Sequence, residues 1–300
     1  MLKDVLPANI MRILERNFKE RMINEVRIRI DKPIIIVCDK EMHYLQEDEC
    51  VNAAKLVCGT ADMIEEIVFR ACEYSVYANN EQIKNGYIML DDGMRIGICG
   101  VVVGDAGITT IKDFSSICIR VPHVVEGCSL PIFHLIYDGK VNNTIILSMP
   151  GAGKTTMIRD IIFQFTQQEL PYNIFVADER GEIGGIKKLA GDRSDFICFL
   201  NKKLSIMYGL RSMAPEIIIT DELGADDDYD AIEYAANCGV SVIATVHAND
   251  IEDVKNKPKL MSLLDKNIIK RLVFLSKRNG VGTIECVYNN NLIPIYGGVM

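Results

Sequence analysis

Apolar residues in the first third of the chain recur mostly at every second position. "EVRIRI" (25–30) and "KPIIIVC" (32–38) read as strands joined across Asp31-Lys32-Pro33, because a period of two sends alternate side chains to opposite faces. The period changes in "DMIEEIVFRACEYSVYA" (62–78), where Ile64, Ile67, Val68 and Ala71 share one helical face and Asp62 is the expected N-cap. Alternation returns in "GYIMLDDGMRIGICGVVV" (86–103), read as two strands around an Asp92-Gly93 turn. That register puts Met94, Ile96 and Ile98 on one face and Arg95, Gly97 and Cys99 on the other. "SSICIRV" (115–121) is a further short strand.

Pro122, Gly127, Pro131 and Gly139 then punctuate the chain, and beyond them strands alternate with helical stretches. Strands are expected at 144–147, 173–177, 216–220, 241–245 and 272–276, with a terminal hairpin from 282–287 and 292–296 around Asn289-Asn290-Asn291. Alternation of this kind predicts an α/β fold with a mostly parallel sheet. The expected division is a smaller α+β domain over residues 1–135, including the linker, and an α/β domain over 136–300. The acidic run Asp226 to Asp228 reads as a solvated loop and helix N-terminus.

Composition narrows the function classes. The 300 residues are 49% hydrophobic and 25% charged, as in ordinary globular proteins. A net charge of −8 argues against a broad nucleic-acid footprint, which is normally basic. No apolar run approaches the roughly 18 residues that span a bilayer, and the N-terminal segment, broken by charges, lacks a cleavable small-residue site. A cytoplasmic protein without direct membrane insertion is therefore expected. The ten cysteines include no C-x-x-C pair, and Cys38, Cys99, Cys118 and Cys198 sit in apolar runs, so buried reduced thiols are expected rather than disulfides or zinc.

The densest chemistry lies in "SMPGAGKTT" (148–156), which follows the buried-strand pattern of Thr144 to Leu147. Gly153, Lys154 and Thr155 supply the second half of the phosphate-loop pattern G-x-x-x-x-G-K-[ST], although Ser148 stands where its first glycine belongs. Met157, Ile158, Ile161, Ile162 and Phe165 follow at helical spacing. Strand, glycine-rich loop and helix N-terminus together make an anion site, because unpaired N–H groups and the helix dipole converge there. Pro150, Gly151, Ala152, Gly153, Lys154, Thr155 and Thr156 are the expected cradle for ATP, with Lys154 on the β/γ-phosphates and Thr155 on Mg²⁺. "EIIITDELG" ends a strand in Asp221, expected to hold Mg²⁺, and Glu222, expected to polarise the attacking water. "VSVIATVHAND" ends in His247, a candidate sensor of phosphate occupancy, with a capping role as the alternative. "IFVADERGEIGG" places Asp178 and Glu179 at another strand end, where they could face the same cleft or form a surface ion cluster.

With "INEVRIRIDKP", "CEYSVYANNEQIKNGYIMLDDGMRIGICG", "FSSICIRV", "VADERGEI" and "LRSMAPEIIITDELG", the chain resembles the stage III sporulation protein AA family over nearly its whole length. Those proteins are ATPases of endospore-forming bacteria, similar in turn to hexameric secretion and pilus ATPases. The resemblance implies an N-terminal α+β module before a RecA-like core, with the His247 strand between the phosphate-loop and Asp221 strands. It also implies a homo-oligomer, with a hexamer as the model, that powers a secretion-like complex of membrane proteins during sporulation and is recruited peripherally on the mother-cell side. Asp178 and Glu179 match the family's Asp-containing box and His247 its histidine box. Arg95 and Arg120, each in an otherwise apolar strand, match places where secretion ATPases carry arginines that serve a neighbouring subunit.

Departures are Ser148-Met149 at the loop start, Ala225 after "DELG", and the absence of a Cys-Pro before Lys202, which leaves that lysine without an assigned role. The rival reading is a phosphate-loop ATPase acting on single-stranded nucleic acid. Such proteins need a basic groove with stacking aromatics, whereas this chain is acidic and has no Trp. A GTPase would need Asn-Lys-x-Asp, and "NKKL" (201–204) has Leu204 in the last position.

Overall fold

The computed structural model describes residues 2–19, 21–38, 41–47, 55–77, 79–90, 93–104, 110–122, 125–168, 170–184 and 191–297. Internal contacts divide the chain into two units, Met1–His123 and Val124–Met300. The sequence reading placed the linker with the first domain. In the structure the segment from Val124 onward belongs to the second, because Ile132, Phe133 and Ile136 are buried in that unit's core.

The first unit runs α1 (Leu2–Val5), α2 (Ala8–Asn17), β1 (Ile23–Arg29), β2 (Ile35–Cys38), β3 (Glu41–Tyr44), α3 (Ala61–Ala71), α4 (Asn80–Lys84), β4 (Tyr87–Met89), β5 (Arg95–Val103) and β6 (Thr110–Arg120). Its six strands form a sheet in the order β3-β2-β1-β6-β5-β4, antiparallel throughout. Met94, Ile96 and Ile98 are buried with Val26, Ile28, Ile117 and Ile119 and with Ile10, Leu14, Ile64, Ile67 and Val68 from the helices. The predicted register therefore holds. Asp62 is not the N-cap of α3. Thr60 is, its hydroxyl accepting from Met63 N at 3.2 Å, while Asp62 already lies in the first turn. The helix also stops at Ala71, short of the expected span, where Glu73 and Tyr74 turn to φ of 50° and 63°. Asp92 lies outside the described residues. β3 and α2 were not anticipated.

The second unit comprises α5 (Leu130–Ile136), β7 (Thr144–Ser148), α6 (Lys154–Gln167), β8 (Ile174–Asp178), β9 (Ser194–Cys198), α7 (Lys202–Ser212), β10 (Ile217–Glu222), α8 (Asp226–Asn237), β11 (Ser241–His247), α9 (Ile251–Lys255), α10 (Pro258–Asp265), β12 (Arg271–Ser276), β13 (Thr283–Asn289) and β14 (Pro294–Gly297). The eight-stranded sheet has the order β14-β13-β12-β7-β11-β10-β8-β9. From β12 to β9 the neighbours are parallel, and β13 and β14 add an antiparallel edge. β11 lies between β7 and β10, as the resemblance implied. Strands of such sheets are apolar on both faces: Ile145 and Leu147 of β7 enter one core, with Tyr229 and Ile232 of α8, and Ile146 enters the other, with Ile158, Ile161 and Phe165 of α6.

Three expectations are corrected. β9 was missed, its apolar residues being few and only half-buried. Cys99 is exposed, because it lies on the face of β5 opposite Ile96 and Ile98, and Cys118 and Cys198 are only half-buried; of the four, Cys38 alone is buried. Asp228 is likewise buried rather than solvated, accepting from Gly224 N and Ala225 N at 3.0 Å each and so closing the start of α8. No helix among the described residues is long and apolar enough to cross a membrane.

Candidate functional site

The carboxyl ends of β7, β11, β10 and β8 bring Lys154, His247, Asp221, Glu222 and Asp178 to one rim of the sheet. The loop between β7 and α6 turns through Gly151 (φ 70°) and Gly153 (φ 100°), left-handed conformations that only glycine adopts without strain. A Cβ on Gly153 would also meet Gly282 Cα at 3.1 Å. The glycines thus keep the loop open and its backbone approachable, as a phosphate cradle requires. Lys154 opens α6, with Thr155 and Thr156 half-buried behind it.

Lys154 is 8% exposed, and its Nζ donates to Ser148 O at 3.0 Å and contacts His247 Nδ1 at 2.7 Å. Burial pushes its pKa below the usual lysine value, and the charge of Glu222 opposes that shift. The far side of the imidazole reaches Glu222, with Nε2 2.7 Å from Oε2. Lys154, His247 and Glu222 therefore form a continuous chain across three adjacent strand ends.

Asp221 is 7% exposed, and neither of its carboxylate oxygens has a hydrogen-bond partner among the described residues. The Lys202 ammonium lies 2.9 Å from Oδ1, an ion pair without hydrogen-bond geometry. A buried carboxylate with unused lone pairs beside a phosphate loop fits the outer sphere of a divalent cation.

Asp178 faces elsewhere. Fully buried, it accepts from the N–H groups of Glu182, Ile183 and Gly184 at 2.9, 2.7 and 2.7 Å, pinning the turn that follows β8. Burial raises its pKa, the backbone donors lower it and Asp221 adds to the rise. Glu179, partly exposed, stands 3.8 Å from Lys202 Nζ.

In the first unit Arg95 and Arg120 are direct cross-strand neighbours. Arg95 stacks over Tyr87 at 4.2 Å and Arg120, 65% exposed, lies 3.5 Å from Glu25. Burial alone would raise the pKa of Glu25, but Arg27 and then Arg120 hold it below the ordinary carboxylate value.

Sequence reading missed Lys277. The turn after β12 docks on the phosphate loop, Gly282 N donating to Ala152 O at 3.0 Å, and a Cβ on Gly151 would meet Lys277 Nζ at 3.2 Å. The signal was a basic, glycine-containing turn, "SKRNGVG" (276–282), at a strand's carboxyl end. Also unanticipated was buried Asp160 of α6, which accepts from Gly127 N and from Ser129 N and Oγ and so ties α6 to the start of α5.

The family model described as "Sporulation stage III, protein AA" matches residues 1–294. The stage III sporulation protein AA of Bacillus subtilis (strain 168) is 31% identical, the match covering 97% of this chain and 95% of that protein. Among solved structures, the Legionella pneumophila ATPase DotB is similar at a TM-score of 0.59 and 14% identity, over 90% of this chain and 76% of that one. The pilus retraction motor PilT with bound ADP gives 0.57 and 16%, over 87% and 77%. At such identities the likeness is one of fold, and it bears out a RecA-like α/β core behind a smaller α+β unit.

Proposed function

From the premise that the chain belongs to the sporulation stage III protein AA family, we propose that it is an ATPase hydrolysing ATP to ADP and phosphate. The observation that carries this reading is the chain of contacts from Lys154 through His247 to Glu222 at the end of the phosphate loop. Pro150, Gly151, Ala152, Gly153 and Thr156 complete the cradle, and Lys154 binds the β/γ-phosphates. Lys277, beside Gly151, adds a second cation from the same subunit. Thr155 and Asp221 would hold Mg²⁺, which would supply neutralisation of phosphate charge. Glu222 takes a proton from the attacking water as its oxygen bonds to phosphorus and the ADP oxygen leaves. His247 orients that carboxylate. Asp178 and Glu179 act indirectly, Asp178 by fixing the turn after β8 and Glu179 by sharing Lys202.

The same reading extends to assembly. Like charges directly opposed across a strand pair cost stability, and Glu25, 3.5 Å from Arg120, is shared with Arg27, so the Arg95–Arg120 pair on the outer face of the first sheet can take a further anionic partner. We assign that partner as the nucleotide of a neighbouring subunit in a homo-oligomer, a hexamer by analogy with secretion ATPases. The motor would work in the cytoplasm, recruited on the mother-cell side to membrane proteins of a secretion-like sporulation complex. Phosphate release from Mg²⁺–ATP, measured together with particle mass with and without nucleotide, tests the reading. Turnover that rises with assembly is expected, and a monomer without turnover in any condition contradicts it.

A further inference from the structure

Lys202 is the first residue of α7 and is 3% exposed. Both facts disfavour a charged side chain. A cation at a helix N-terminus opposes the dipole, and an ammonium taken out of water needs compensating partners. Asn201, whose side chain accepts from Leu204 N, already caps the helix, so Lys202 is not needed for that. Its partners come instead from two other strand ends. Nζ lies 2.9 Å from Asp221 Oδ1 and 3.8 Å from Glu179 Oε2, and it donates to the carbonyl of Glu222. The ammonium therefore stands beside the carboxylate assigned to the metal and beneath the backbone of the residue assigned to the water.

We propose that Lys202 is a tethered counter-ion to Asp221 that competes with the divalent cation and so sets the affinity of the site for it. With no metal present, Lys202 neutralises Asp221 and holds it in place. The missing hydrogen-bond geometry leaves both Asp221 oxygens able to accept a new partner. When a divalent cation binds, Lys202 gives up Asp221 and keeps Glu179 and the Glu222 carbonyl. Lys202 is thus a positioning residue rather than one that touches the nucleotide. Departure of the metal with spent nucleotide then leaves no bare buried carboxylate behind, which would otherwise be costly.

The inference rests on Asp221 being the metal-binding carboxylate. Its test is Mn²⁺ binding to the full-length protein with ADP present, read from the loss of the free-ion paramagnetic resonance signal. Removing a positive charge this close should tighten Mn²⁺ binding about tenfold or more in Lys202→Gln and Lys202→Met. Lys202→Arg, which keeps the charge, should stay within about threefold of the parent protein. A purely structural lysine would not move metal affinity upward. Unchanged or weaker Mn²⁺ binding in a folded neutral variant overturns the inference. Failure of both neutral variants to fold overturns it too, because the ammonium would then be a structural ion only. If the parent protein itself binds no Mn²⁺ with ADP, the reading of Asp221 fails, a result distinct from equal affinities across the variants.

Discussion

Nδ1 of His247 lies 2.7 Å from Nζ of Lys154, and Nε2 of the same ring lies 2.7 Å from Oε2 of Glu222. Nδ1 also lies 3.2 Å from the Ser148 carbonyl; with Lys154 in its ammonium form, which only donates, Nδ1 accepts and the ring proton sits on Nε2, facing Glu222. One imidazole thus holds both the phosphate-binding cation and the proposed base. His247→Ala should leave nucleotide affinity close to the parent value while turnover falls, by less than the ~10²–10⁴-fold that a base itself contributes. Equilibrium binding and steady-state turnover measured on one preparation separate the two. Loss of binding with unchanged turnover per bound nucleotide would contradict this role.

Burial lowers the pKa of Lys154 from its usual 10.5. Phosphate binding needs the ammonium form, so nucleotide affinity is full below that lowered value and declines as pH rises through it. The loss approaches about tenfold per pH unit above it. ADP affinity measured between pH 7 and 10.5 should bend downward before 10.5, and Lys154→Arg should lack the bend. A flat profile up to 10.5 in the parent protein would refute the assignment.

Asp178 is proposed to buttress the site rather than touch the ligand. Asp178→Ala strips the acceptor from three backbone N–H groups at once, a loss on the order of 3 kcal/mol or more. Urea unfolding followed by circular dichroism should show the transition of the second unit moving to lower urea. If the variant is as stable as the parent but fails to bind nucleotide, Asp178 is a direct ligand instead.

Arg120 is expected to act across a subunit boundary. Arg120→Ala and Lys154→Ala should each be inactive alone, with the arginine contribution worth ~10³–10⁵ in rate. Mixed at assembling concentrations, some junctions pair an intact nucleotide site with an intact arginine, and activity should partly return. An arginine serving its own subunit gives no recovery in any mixture.

Much of this site was legible because each part is local. Lys154, Asp221, Glu222 and His247 all stand at or just beyond the ends of apolar strands, and a glycine-rich turn beside them announces a ligand. The α/β alternation was equally plain, as was the inward face of Met94, Ile96 and Ile98. What stayed hidden depends on partners distant in the chain. Lys202 meets Asp221 because α7 begins one strand beyond β8, and Lys277 meets Gly151 because β12 lies beside β7. Asp178 looked like a ligand, since sequence gives its strand end but not the turn of N–H groups that folds back over it. Thr60 and Asp62 are both residue types that cap helices, and only the backbone geometry at the start of α3 tells them apart.

The central claim is that Lys154 binds phosphate and Glu222 activates water, and one pair of variants tests it. ATP affinity and phosphate release should be measured side by side on Lys154→Ala and Glu222→Gln. The account predicts no detectable ATP binding by Lys154→Ala. For Glu222→Gln it predicts near-parental binding with turnover reduced ~10²–10⁴-fold. Near-parental hydrolysis by Glu222→Gln would contradict it, because another group would then position the water.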